Sequence, residues 1–401
     1  MTPVAAQPAG RRERLAGLVV AIATVTVAAF ALGLTMPMLA VLMEADGRTG
    51  VEIGISSAMA PLSILLFSPF VPGAVARMGA KRFVLRCVLL CCVAMLSLKL
   101  FENYWAWLPI RLLMGMAIAG LFVASESWIG QVADNTNRGR IMAIYNMVLT
   151  GGFASGPLVL GLVGGEGWAP FLLGAGLLAA AALPLVLVPV NAPSFEGTPS
   201  FGVLGYVRVA PTLAFAVLAY AMLENGGGSL IAVYGLRHGL PEPDALMLLS
   251  LVVFGGMICA YPVGWLGDRF HKMTILAIMA GIGVLGGLLM PFTMHDEYAR
   301  MAVMLVWGGA ATSLYALALA IQGERFSGAE LVTGNAAFGV LYGLGALIGP
   351  LVAGTGMDLA DPDGFAWSMA LFCGVFLAFL LVRQLSKWRR SRGGQPRTDL
   401  T

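Results

Sequence analysis

Glu224 stands in the middle of a long apolar run, in the segment Tyr220-Ala-Met-Leu-Glu224-Asn225-Gly226-Gly227-Gly228-Ser229. A carboxyl stranded among apolar residues can bind and release a proton, pair with a cation, or bond to a neighbouring helix. Burying even its neutral form is costly unless partners are supplied. Tyr220, four residues earlier, falls on the same face of a helix. Three glycines in succession weaken that helix and predict a break that frees backbone groups for a ligand. Arg111 and Glu126 form a second pair of charges within one apolar run. Fifteen residues at 100° each leave them about 60° apart, so both can face one cavity. Arg111 keeps its charge and needs a carboxylate, a carbonyl or an anionic ligand, unless it extends to a membrane interface. Glu126 can alternatively pair with Arg138 or Arg140. Asn146, Thr150, Tyr315, Gln322 and Tyr342, with Tyr220 and Asn225, are candidate lining groups. Each of them could instead serve only as an interhelical hydrogen bond.

These residues need elements that hold them at depth. The 401 residues are 59% hydrophobic and 11% charged, against roughly 25% charged in a soluble domain. A chain this apolar belongs in lipid. Twelve runs reach about the 20 residues that a span requires: 15–43, 51–76, 81–101, 104–132, 139–163, 168–190, 207–236, 243–266, 271–293, 298–322, 331–356 and 364–386. Each must satisfy its own backbone, and no run alternates as a barrel strand does, so the fold class is all-α membrane protein with twelve transmembrane helices. Residues 1–190 and 207–386 divide into six runs each, with a polar linker at 191–206 and a basic tail at 387–401. Arg11, Arg12 and Arg14 precede the first run, which reads as a retained helix rather than a cleaved signal.

Lys and Arg set the orientation. One side of the twelve runs carries only Arg48, Lys99, Arg237 and Arg300, while its loops hold Glu44, Asp46, Glu242, Asp244, Asp296, Glu297, Asp358, Asp361 and Asp363. The other side carries most of the remaining cations. Both termini are therefore expected in the cytoplasm. The basic tail is a topology signal, and no soluble domain presents a nucleic-acid surface. The five cysteines all lie in apolar runs, which disfavours a disulfide framework. A soft-metal path through Met and Cys is set aside, because none of His238, His271 and His295 lies at depth. No Gly-x4-Gly-Lys-Ser/Thr loop is present, so an ion gradient rather than ATP is the expected energy source.

The chain is also duplicated. Gly152-x3-Gly156-Pro157-x3-Gly161 returns as Gly345-x3-Gly349-Pro350-x3-Gly354, an offset of 193 residues (349 − 156). Gly73–Arg82 returns as Gly264–Lys272 at 191 (264 − 73). Two copies of one membrane unit are a common way to build a secondary transporter. Small residues four apart permit close helix contact, and the prolines remove a backbone bond.

Two sixes of spans, with Gly264-x3-Asp268-Arg269-x2-Lys272 between the eighth and ninth, resemble the major facilitator superfamily over nearly the whole chain. Arg111-Leu-Leu-Met114-Gly115 is similar to its Arg-x-x-Gln-Gly motif, with Met114 in place of Gln. Gly152–Gly161 resembles its antiporter motif, with Ala143 where a glycine is usual. Glu126-Ser127, Asn137-Arg138-Gly139-Arg140 and Ala143-Ile-Tyr145 look like the bacterial branch named after YcaD. The resemblance implies a plasma-membrane permease in two pseudo-symmetric bundles, and tight contact between spans of opposite halves at the glycine–proline steps Gly152, Gly156, Pro157, Gly345, Gly349 and Pro350. By pseudo-symmetry Asp268, with Arg269, should approach the start of the fifth span near Arg138 and Arg140, where a helix N-terminus favours a carboxylate. Arg77 at the equivalent place would be repelled, so the gate is asymmetric.

The expected function is secondary active transport of a small organic solute, without enzymatic activity or cofactor, by a monomer. Coupling is to protons through Glu224, Glu126 and Arg111, and the direction is export by antiport. An uptake symporter is the runner-up. A transporter-shaped assembly factor or sensor is the reading from another class. Titratable residues at depth in both halves favour flux.

Overall fold

The computed structural model describes residues 11–132, 138–165, 167–183, 203–326 and 328–392. The expected linker at 191–206 and tail at 387–401 lie largely outside them. Among the described residues the regular structure is helical. The helices are α1 (Arg11–Ala45), α2 (Gly50–Phe67), α3 (Val71–Met78), α4 (Ala80–Leu100), α5 (Tyr104–Val132), α6 (Arg138–Val163) and α7 (Ala169–Ala181). They continue as α8 (Val203–Val209), α9 (Pro211–Arg237), α10 (Glu242–Arg269), α11 (Lys272–Thr293), α12 (Glu297–Arg325), α13 (Gly328–Leu359) and α14 (Gly364–Arg392).

Among the described residues ten helical segments are long and apolar enough to cross a membrane. The expected spans at 139–163 and 168–190 correspond to the shorter apolar helices Met147–Val163 and Ala169–Ala180. Phe70, Leu89, Leu162, Tyr261, Phe292 and Val382 are exposed; such side chains suit lipid and would aggregate in water. The protein is a multi-pass membrane protein.

Prolines explain two departures from the expected run edges. The run at 51–76 is α2, a 3-10 turn at Ser68–Phe70, and α3. Pro69 and Pro72 lack the N–H donors that an unbroken helix would use. The run at 207–236 divides at Ala210, before Pro211, so that α8 is separate from α9. Between α3 and α4, Gly79 takes φ +80°, a conformation that glycine adopts without strain.

Contacts group the chain into two units. One holds Met1–Thr35 and Leu62–Glu196; the other holds Met36–Pro61 and Gly197–Thr401. The first is cored by Leu34, Met95, Leu121, Leu160 and Phe171. Here α1 and α6 cross backbone to backbone: a Cβ on Gly156 would overlap the Gly33 carbonyl carbon. The second unit is cored by Tyr234, Trp307, Phe365 and Phe376, with Met38, Met43 and Ile53 from the α1 and α2 ends. In it α9 and α13 cross equally closely, a Cβ on Gly349 overlapping the Met222 carbonyl oxygen. Such approaches maximise dispersion contact where lipid supplies no hydrophobic drive between helices. The same stretch of α13 meets α2, where a Cβ on Gly54 would overlap the Pro350 carbonyl oxygen and one on Gly354 would overlap that of Gly50.

The three glycines of α9 do not break it. The helix runs unbroken from Pro211 to Arg237 with Gly226, Gly227 and Gly228 buried. The missing side chains are used for packing: a Cβ on Gly226 would lie 3.0 Å from the Gly349 carbonyl oxygen, and one on Gly227 3.3 Å from the Trp307 ring. The expectation of freed backbone groups is corrected here, because close neighbours offset the low helix propensity of glycine.

Candidate functional site

Glu224 is the fourteenth of the 27 residues of α9 (224 − 211 + 1), the middle of the helix. The Tyr220 hydroxyl, one turn earlier, donates to Glu224 Oε1 at 2.7 Å. Tyr342 arrives from α13 and donates to Oε2. Asn225 Nδ2 donates to the Ala221 carbonyl at 3.0 Å and to the Tyr342 hydroxyl at 3.4 Å. Tyr315, from α12, stacks on Tyr220 with centroids 5.0 Å apart and stands edge-on to Tyr342 at 6.4 Å. Two helices thus supply the carboxyl and its hydroxyl partners, and a third adds a ring stacked on Tyr220. Tyr220, Glu224, Asn225, Tyr315 and Tyr342 are each partly exposed.

The hydrogen-bond pattern has a chemical consequence. An ionised carboxylate only accepts, and two phenol donors satisfy it. A protonated carboxyl must itself donate, so one tyrosine has to turn its hydroxyl and accept instead. The cluster can host either state with a rotation of O–H groups.

The other residues singled out by sequence fall elsewhere. Gln322 is fully buried two turns along α12 from Tyr315, and its Nε2 donates to Asn335 Oδ1 at 3.0 Å. It ties α12 to α13 rather than joining the tyrosines. Arg111 (4% exposed) is buried in α5, and Thr150 is partly exposed on α6; both belong to the first unit. Glu126, Arg138, Arg140 and Asn146 lie outside the residues whose side chains are described.

Asp268 projects from the end of α10, with its side chain 82% exposed and Lys272 at 3.9 Å. Lys272 is held more closely by Glu324, at 2.7 Å, and the Arg269 guanidinium lies 4.1 Å over the Trp265 ring. A cavity of about 140 Å³ between α10 and α12 reaches Asp268 and Lys272, with Gly256, Ala260, Gly264 and Thr312 along it.

One constellation was not foreseen. Arg237, at the end of α9, makes a bidentate pair with Glu44 of α1, Nε and Nη2 each at 2.9 Å from a carboxylate oxygen. Its Nη1 donates to Asp361 at 2.7 Å and lies 3.7 Å from Asp358. Asp358 in turn accepts from the first two amides of α2, Gly50 N at 2.6 Å and Val51 N at 2.7 Å. Thr49 and Glu52 complete that helix start as a capping box, with Thr49 N to Glu52 Oε2 at 3.0 Å and Glu52 N to Thr49 Oγ1 at 3.2 Å. The available signal was the scarcity of cations on this acidic side. All four are engaged: Arg48 with Glu52, Lys99 with Glu102, Arg237 as above, and Arg300 with the Met294 carbonyl at 2.8 Å.

An all-helical membrane chain with a polar cluster at mid-span has the form of a transporter. Comparison with known proteins gives the family. The Major Facilitator Superfamily profile matches residues 21–314 and 262–400, and the chain belongs to that superfamily. It is similar to the MFS-type transporter YfkF of Bacillus subtilis (strain 168), 23% identical over 370 residues that cover 89% of this chain and 93% of the relative. It is also similar to the MFS-type transporter YcaD of Salmonella arizonae, 24% identical over 302 residues covering 75% of this chain and 78% of the relative. Among solved structures, nucleoside transporter NupG superposes with TM-score 0.74 at 16% identity, covering 91% of this chain and 98% of NupG. A bacterial homologue of the lysosomal transporter Spinster gives TM-score 0.72 at 14% identity, covering 93% of this chain and 96% of that one. The structural likenesses establish the fold.

Proposed function

We propose that this chain is a proton-coupled secondary transporter of a small organic solute, working by alternating access as an exporter in the bacterial plasma membrane. The observation that carries the reading is Glu224, placed at the middle of α9 and held by hydroxyls from two helices. A carboxyl in that position can load a proton from one side of the membrane and release it to the other. The two halves, 1–190 and 207–386, act as the moving bundles; Asp268 and Arg269 serve the cytoplasmic gate, and both termini face the cytoplasm. The protein functions as a monomer.

The test is Glu224→Gln in proteoliposomes, with Glu126→Gln in parallel. Gln keeps the shape and the hydrogen bonds but does not titrate. Glu224→Gln is expected to abolish accumulation driven by a pH gradient while solute binding survives. Wild-type pH-dependent flux in that variant, together with its loss in Glu126→Gln, would move the proton site to α5. Impermeant thiol reagents should fail to reach a cysteine placed in 191–206 of intact cells.

A further inference from the structure

Resting on the reading of Glu224 as the proton carrier, we propose that the Glu224–tyrosine cluster binds organic cations with a flat or quaternary head. Three observations support this class of solute. First, the partners of Glu224 are two hydroxyls, and among the described residues no basic side chain forms an ion pair with it. A carboxylate set among apolar residues without a counter-ion is a site for a cation or a proton. Second, the walls are aromatic. Tyr220, Tyr315 and Tyr342 come from three helices with ring centroids 5.0 to 6.4 Å apart. Ring faces attract cations and reject anions through their quadrupole. Third, all four groups keep a partly exposed flank.

Competition follows from this composition. One carboxyl serves both ligands, so the cation binds the ionised form and its arrival expels the proton to water. Loading a proton from the opposite side then releases the cation. Exchange of one for the other needs no further titratable group. A neutral planar solute would stack on the same rings but would draw nothing from the charge of Glu224.

N-methylquinolinium and quinoline test this, because they share the fused aromatic ring system and, at pH 7.5, differ in charge and in one methyl group. Binding to purified protein is measured by calorimetry in a weak buffer, with proton release followed by an indicator dye. The wild type should bind the cation about tenfold or more tightly than quinoline and release protons as it does so. Glu224→Gln should remove that preference and the proton release. Tyr315→Phe and Tyr342→Phe keep the rings and should keep the preference within about threefold, whereas Tyr315→Leu and Tyr342→Leu should lose about tenfold. The phenylalanine variants guard against misfolding as the cause of any loss. Equal affinity of the wild type for the two compounds overturns the cation assignment. The proton reading would survive that result if pH-driven flux still depends on Glu224. Cation preference retained in Glu224→Gln overturns the placing of the site.

Discussion

At the scale of single residues, His238 joins chemistry to position at the acidic end. Its Nε2 lies 3.1 Å from Asp363 Oδ1, and its ring packs against Tyr234 at 4.6 Å and His295 at 5.9 Å. Burial pushes the imidazole below its ordinary value; the Asp363 carboxylate and the more distant Asp361 oppose this, and His295 adds to it. The native site therefore favours the neutral ring. Stability from this group is present above the ordinary imidazole value, near 6.5, and is lost as pH falls through it towards the lower native value. Thermal unfolding of the purified protein should show a Tm that drops on acidification below about pH 6.5, and His238→Gln should flatten part of that drop. Parallel pH profiles for the two proteins would rule His238 out as the source.

At the scale of elements, the glycines divide into two kinds that sequence spacing does not separate. Gly156 of α6 lies against the Gly33 backbone, while at Gly161, five residues on, a Cβ would meet no atom within 4 Å. Gly156→Ala should force α1 and α6 apart and cost roughly 1–3 kcal/mol. Gly161→Ala should be neutral or stabilising by up to about 1 kcal/mol. Detergent-phase thermal unfolding compares them, and equal losses would mean that the crossing is not tight. Much of the element level was legible beforehand: the apolar runs fall on helices where they are described, and Gly156 and Gly349 of the repeated motif lie at helix crossings. The continuity of α9 through Gly226–Gly228 was not, because helix propensity counts local entropy and misses the Gly349 backbone and Trp307 ring that fill the space.

At the scale of the whole molecule, residues 36–61 pack with the second contact unit, and Arg237 is the principal ionic tie there. It joins Glu44 on α1 to Asp361, beside Asp358 of α13, which accepts from the first amides of α2. Arg237→Gln leaves three carboxylates close together without their cation. A loss of about 1–3 kcal/mol is expected, since the arginine is mostly buried but Asp361 remains open to water. Asp358→Asn should cost less, about 0.3–1 kcal/mol from the α2 N-terminus. A double-mutant cycle between Arg237 and Glu44 measures the pair directly; additive losses would show that the bidentate geometry contributes nothing.

The amino-acid sequence by itself determined that this chain lives in lipid, that it is helical, that it is duplicated and that Glu224 is stranded at depth with Tyr220 one turn away. Those properties follow from composition and local periodicity. The tertiary structure alone decided that Tyr342 meets Glu224 with Tyr315 stacked on Tyr220 beside it, while Gln322 stays apart, and that Arg237 reaches back 193 residues (237 − 44) to Glu44. Partners on different helices are chosen by helix rotation and crossing angle. These depend on the packing of every side chain at once, so no local pattern of residues encodes them.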